Sequence, residues 1–313
     1  VRFDYERWLA AAGIDALGTL SRPDEAESKG PASGLPAWRA RLSDHIGSVA
    51  GSGQGSALLQ GLVVGDRRAF SEQTWEILRA TGTSHLMAIS GLHIGLVGGL
   101  GVMLGQWLWA LARIPGARHW SGLAHAGLAA TGYAALAGFA LPTQRALIMF
   151  AVAASAAAVA RRLLPGRALL LAAMLILTLD PAAGLSPGFW LSFSAVALII
   201  LVARGRRPAG PGALLRIQAL LTLGLAPVSA LFFGTWSPQG LIANLLVIPV
   251  FSFFIVPTAL GATLLDLMTP GISAWGLGAL ARLLEALLIA GEWLDGVGSG
   301  LLALGVGETV GPM

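Results

Sequence analysis

Between Thr81 and Gly101 the chain reads TGTSHLMAISGLHIGLVGGLG, which sets Ser84, His85, Ser90 and His93 among leucines, isoleucines and glycines. Hydroxyls and imidazoles cost free energy to strip of water unless they are hydrogen-bonded, so their retention here needs a use. Ser90 and His93, three residues apart, could pair as nucleophile and base, but no acid lies nearby in sequence to orient the histidine. His85 and His93 could ligate a metal. On one straight helix, however, they would point about 80° apart, and no carboxylate occurs from Ile77 to Thr178 to assist them. Third, all four could act as neutral hydrogen-bonding groups, across helices or along a water-filled path. Gly91, Gly95 and Gly99, spaced by four, form a small-residue rail that predicts a helix-packing surface.

A second kind of chemistry is suggested by a shortage of acids. From Ile77 to Leu284 the only carboxylates are Asp180 and Asp266, and from Ser84 onward 11 basic residues face 6 acidic ones. Most of those arginines cluster in a few connections, where membrane orientation explains them. Arg145, in GFALPTQRALIMF, does not cluster. It falls just after Pro142 and Thr143, at the predicted start of a helix, where a cation opposes the helix dipole unless an anion is expected. A helix N-terminus plus a guanidinium makes a phosphate-sized site; snorkelling to the membrane interface is the plainer alternative. Asn244, the only strongly polar side chain between Gln239 and Ser252, joins the candidates.

The elements that hold these residues follow from composition. Only 12% of the 313 residues are charged and 55% are hydrophobic, against about 25% charged in soluble domains. No Asp, Glu, Lys or Arg occurs in 80–112, 119–144, 181–203 or 217–265. Each window exceeds the roughly 20 residues that cross a hydrocarbon core. The expected fold is an all-α polytopic membrane protein with seven or eight spans. They are placed near 85–112, 120–140, 144–160, 166–180 (short, re-entrant or broken), 187–203, 212–233, 239–265 and 275–294. Pro249 and Pro257 should kink the seventh, and GTWSPQG (234–240) breaks the longest window.

Residues 1–84 hold nine of the 20 basic and ten of the 16 acidic residues, and read as water-facing. FDYERWLAAAG suggests a short helix, 21–36 a linker, and 37–83 an amphipathic surface or interfacial segment broken near the glycines at 51–55. The last helix places Arg282, Glu285, Glu292 and Asp295 opposite Leu283, Leu287 and Leu294, and so is amphipathic. Arg113 with Arg118, Arg161 with Arg162 and Arg167, and Arg204 with Arg206, Arg207 and Arg216 mark cytoplasmic connections, which places the N-terminal region outside. The start at Val1, without a signal sequence ahead of a water-facing region, predicts that the chain is a piece of a longer one. With no cysteine, disulfides and thiolate metal sites are excluded.

GTSHLMAISGLHIGLV closely resembles the hallmark of the ComEC-type competence channel family. FDYERWLAAAGIDALG, LLQGLVVGDRRAF, PTQRALIMF, DPAAGLSPGFWLSFSAVALIIL and FGTWSPQGLIANLLVIPV agree in order, so the resemblance covers nearly the whole chain. It implies transport of single-stranded DNA across the bacterial cytoplasmic membrane during natural transformation, by a channel that is not an enzyme and needs no cofactor or metal. Residues 84–313 would be the transmembrane channel domain, and 1–36 the end of an extracellular OB-like domain plus linker. The family's metallo-β-lactamase-like domain has no matching motif here. Implied partners are single-stranded DNA, the bilayer, a DNA receptor and a cytoplasmic translocation motor. Ser84, His85, Ser90, His93, Arg145 and Asn244 would then border the DNA path, and Phe189, Trp190 or Trp236 could stack on bases. A membrane-embedded hydrolase using Ser90 and His93, and an anion or lipid transporter, are the competing readings.

Overall fold

Without water, helices and closed barrels are the structures that satisfy every backbone polar group, and the uncharged windows fold as helices. A computed structural model describes residues 33–113, 115–116, 118–158, 163–204, 212–233, 245 and 247–306, and among them no strand occurs. In chain order the helices are α1 (Leu35–Ala50), α2 (Gln54–Val64), α3 (Glu72–Ala80), α4 (Gly91–Leu111), α5 (Arg118–Leu136) and α6 (Leu141–Ala158). They are followed by α7 (Pro165–Leu179), α8 (Pro187–Arg204), α9 (Gly212–Phe233), α10 (Val256–Met268) and α11 (Ala274–Val306). The 3₁₀ segments Ser84–Met87 and Pro181–Leu185 precede α4 and α8, and a π-turn, Phe251–Ile255, precedes α10. The FDYERWLAAAG helix, most of the 21–36 linker and the 234–240 break lie outside the described residues.

A helix forms at each place where a span is expected. Among the described residues, four stretches are long and apolar enough to cross a membrane: Gly91–Leu111, Leu141–Ala158, Val247–Met268 and Ala274–Gly296. Pro165–Leu179, Pro187–Ala203 and Arg216–Phe232 are apolar but shorter. The predicted short segment at 166–180 is thus a 15-residue helix. It stops at Asp180, whose carboxylate accepts from the Ala182 N–H (3.0 Å) and opens the 3₁₀ turn. The π-turn lies between Pro249 and Pro257. Proline has no N–H, and its ring crowds the carbonyl four residues back, here that of Phe253, so the α-helical ladder gives way there.

The chain divides into two compact units, one of residues 1–39 with 90–236 and the other of 40–89 with 237–313. In the first, α4 packs through glycines on α6, by way of Gly98, and on α5, by way of Gly101 and Gly105. A Cβ at Gly98 would lie 2.6 Å from the Phe150 ring, one at Gly101 2.7 Å from the His125 carbonyl, and one at Gly105 2.5 Å from the Ser121 carbonyl. This corrects the rail expected at Gly91, Gly95 and Gly99. Gly95 and Gly99 have nothing within 4 Å of a Cβ, and Gly91 meets only the Ala146 methyl at 3.7 Å. At 100° per residue the two sets of glycines lie about 90° apart round α4. At the other end of α5, Arg39 donates from Nε to the Leu136 carbonyl (2.6 Å), a cation at a helix C-terminus.

The second unit is built on α2, which packs against α11. Nine of the 11 residues of α2 are buried, from Gly55 to Val64, so the surface helix expected within 37–83 is here a core helix. QGSALLQGLVV is apolar on nearly every side, and such a helix must be enclosed. A Cβ at Gly55 would run into the Ala281 carbonyl, and the Glu285 carboxylate accepts from the Gly55 N–H. A side chain from α11 thus satisfies a donor at the start of α2 that has no partner inside its own helix. The polar stripe of α11 is partly spent on this contact and on Glu292, which accepts from Gln73 Nε2 (3.0 Å). Its buried face is Leu277, Leu280, Ala281, Leu284 and Leu288, while Leu283 is exposed.

Candidate anion-binding site

Ser90 is the N-cap of α4 and His93 its third residue. The Ser90 N–H donates to His93 Nδ1 (3.1 Å), and Ser90 Oγ lies 2.9 Å from the same nitrogen. A backbone N–H can only donate, so Nδ1 is the unprotonated nitrogen and the neutral ring carries its proton on Nε2. The pair is a capping box with histidine in the place of the usual Glu or Gln. His93 is 7% exposed, and its Nε2 has no partner among the described residues. Ser90 and His93 therefore meet the distance for a nucleophile and base, but nothing orients the ring from Nε2, and capping accounts for the contact.

The other two polar residues of the opening stretch are placed differently. Gly82 takes a left-handed φ of 65° after α3, and the chain then makes the Ser84–Met87 turn rather than entering α4. His85 donates from Nδ1 to the Gly82 carbonyl (3.0 Å). Ser84 and His85 belong to the second unit, Ser90 and His93 to the first. The expectation that all four lie on one span, with His85 and His93 on one straight helix, is corrected. Asn244 and Trp236 lie outside the described residues. Among the described residues, no group of three or more His, Asp or Glu side chains is placed to hold a metal.

Arg145 is the fifth residue of α6, just past its first turn. The turn is set by Pro142 and by the Thr143 and Gln144 N–H groups, which donate to the Ala140 carbonyl at 2.8 and 3.0 Å. The Arg145 side chain is not snorkelling outward. It is 7% exposed, its Nε has no partner, and no ion pair reaches it among the described residues. The guanidinium instead lies against the start of α8: a Cβ on Gly188 would fall 2.8 Å from Nη2, 3.6 Å from Cζ, and 3.5 Å from Ser186 Oγ. Pro187 brings no N–H to that turn, and the Gly188 N–H is one of those a helix start leaves without an intrahelical partner. A cation thus sits at the positive ends of two helices, where an anion is favoured. The contact of Gly91 with Ala146 brings the start of α4 alongside.

The aromatic residues beside this site divide. Phe189, 4% exposed, packs with Ile176 and Ala183 and stacks on Phe193 at 4.5 Å, so it is core and not a platform for bases. Trp190 is 47% exposed and donates from Nε1 to the Gly184 carbonyl (2.9 Å). Two features escape the sequence reading. In the second unit, buried Asp266 takes His45 Nε2 at 2.7 Å and caps the turn into α11 through the Gly271 N–H and Ser273 Oγ. Arg67, grouped with the water-facing residues, has its Nε buried without a partner among the described residues, and burial pushes its guanidinium below its usual range. The scarcity of acids was a signal for Asp266; nothing local pointed to His45.

Apolar helices with the length to span a bilayer, and a cation that has no ion-pair partner among the described residues and lies near two helix starts, define a helical membrane protein with a candidate anion site. Residues 62–308 match the Competence protein family, and the chain belongs to that family. It is 36% identical to Competence protein ComA of Neisseria gonorrhoeae over 207 residues, which cover 64% of this chain and 30% of that protein. It is 30% identical to Recombination protein 2 of Haemophilus influenzae over 274 residues, 83% of this chain and 34% of that one. A third relative, protein YcaI of Escherichia coli, is 33% identical over 255 residues, 75% of this chain and 32% of its own. The chain spans about a third of the length of these relatives. No solved structure matches it. The matched region begins at residue 62, inside the segment read as lying ahead of the membrane domain.

Proposed function

We propose that this chain forms the membrane part of a DNA-uptake channel, carrying single-stranded DNA across the bacterial cytoplasmic membrane during natural transformation. Family membership and the names of the ComA and Recombination protein 2 relatives support a role in DNA uptake. The observation that carries the reading to particular residues is Arg145, a buried guanidinium near the starts of α6 and α8 with no carboxylate beside it among the described residues. A structural arginine in an apolar bundle would be paired; one kept free suits a polyanion that arrives and leaves.

In this reading α4 to α11 all cross or enter the bilayer. The arginine-bearing connections lie in the cytoplasm, and the starts of α4, α6 and α8 face outside, where DNA arrives. The partners required are a receptor that delivers the strand and a motor that pulls it. The test follows labelled DNA in a naturally competent host. Deleting the gene should leave DNA at the cell surface and abolish its entry into the cytoplasm, and the full-length gene should restore entry. Equal cytoplasmic label in the deletion and parent strains would refute the reading.

A further inference from the structure

We infer that the Arg145 guanidinium and the first turn of α8 form a cradle for one backbone phosphate of the passing strand; the inference rests on the DNA-transport reading above. Its parts are separate in sequence and meet only in the fold. Arg145 supplies a fixed fork of donors, 7% exposed and with Nε unpartnered. Beside it lie the start of α8, whose Gly188 N–H has no intrahelical partner, and Ser186 Oγ, 3.5 Å from where a Gly188 Cβ would stand. An oxyanion can accept from donors so placed, whereas an uncharged ligand would leave the guanidinium charge unmet.

Gly188 is the residue that lets the guanidinium lie against the helix start. A methyl group there would fall 2.8 Å from Nη2, so the guanidinium must shift off the start of α8. Alanine is nonetheless a better helix former than glycine, so Gly188→Ala should not unwind α8. The site is enclosed among helix starts, which suits a phosphate on a thin single strand better than a lipid head group tied to two acyl chains.

The test uses the purified full chain in nanodiscs of phosphatidylcholine, with a fluorescently labelled single-stranded oligonucleotide read by anisotropy. Arg145→Gln and Gly188→Ala should each weaken binding about tenfold or more, about 1.4 kcal/mol or more. Arg145→Lys should fall between, because a point charge replaces the fork. A strand with a neutral methylphosphonate backbone should bind wild type weakly and not distinguish the variants. Circular dichroism should show equal helix content throughout. Unchanged affinity and unchanged DNA entry in Arg145→Gln and Gly188→Ala would overturn the cradle while leaving DNA transport standing. If wild type binds no oligonucleotide, but phosphatidylglycerol in the disc stabilises it through Arg145, the ligand is a lipid and both readings fall.

Discussion

Arg145→Met separates an anion site from a structural arginine, because the two roles give stability changes of opposite sign. Methionine keeps most of the apolar stem and removes the charge. Arg145 has no compensating carboxylate among the described residues and an orphaned, buried Nε. An unmet buried donor costs about 1–3 kcal/mol, and replacing buried ionic groups by apolar ones of similar volume is often stabilising by about 1–4 kcal/mol. Removing the guanidinium should therefore raise stability by about 1–3 kcal/mol, or about 2–12 °C in melting midpoint at about 2–4 °C per kcal/mol. The same variant should take up DNA at a small fraction of the wild-type rate. The assay is a pair of thermal melts in one detergent at one scan rate, beside uptake at matched protein levels. A variant that melts lower than wild type by more than about 1 kcal/mol would mean that Arg145 has a native partner, and the reasoning would fail.

Three further predictions concern the scaffold. A Cβ at Gly105 would lie 2.5 Å from the Ser121 carbonyl, while Gly99 has open space, so Gly105→Ala should lose about 1–3 kcal/mol and Gly99→Ala should gain or stay level; equal melts for the two would refute the packing face. The hydrogen bonds from Arg68, with a further one from Ser43, hold the Asp66 carboxyl below its usual range. Its folded pKa is below its unfolded value, so its contribution is complete above about pH 4 and is lost as pH falls. Asp66→Asn should then melt lower at neutral pH and lose less on acidification, as pH-dependent melts would reveal. Because the chain has no cysteine, an impermeant thiol reagent on intact cells should label Leu185→Cys and spare Gly166→Cys until the membrane is opened; the reverse pattern would invert the topology.

Helix positions were legible because uncharged windows have few other ways to satisfy their backbone. Arg145 was legible because 103 residues without a carboxylate, from Ile77 to Leu179, left it no local partner. Its position against Gly188 was not, since that contact depends on how α6 and α8 pack. The glycine rail was misread because glycines occur on more than one side of α4, and spacing by four fixes a stripe without saying which neighbour it meets. The burial of α2 was available in principle, since a helix apolar all round has no surface to offer water, but its glycines and two glutamines hid it. The capping role of Ser90 and His93 was obscured because histidine stands where the motif normally has Glu or Gln.

The Glu285 carboxylate that completes the start of α2 comes from 230 residues further along the chain. At about 5–20 residues per second, a ribosome that has just made Gly55 needs about 10–50 s more to reach Glu285. Throughout that interval α2, an apolar helix with Gly55 bared for the backbone of α11, has neither its cap nor its packing partner. The second unit cannot close as it emerges; its first half lacks the α11 contact until that helix is made. A chain stopped short of Glu285 therefore leaves α2 without its cap.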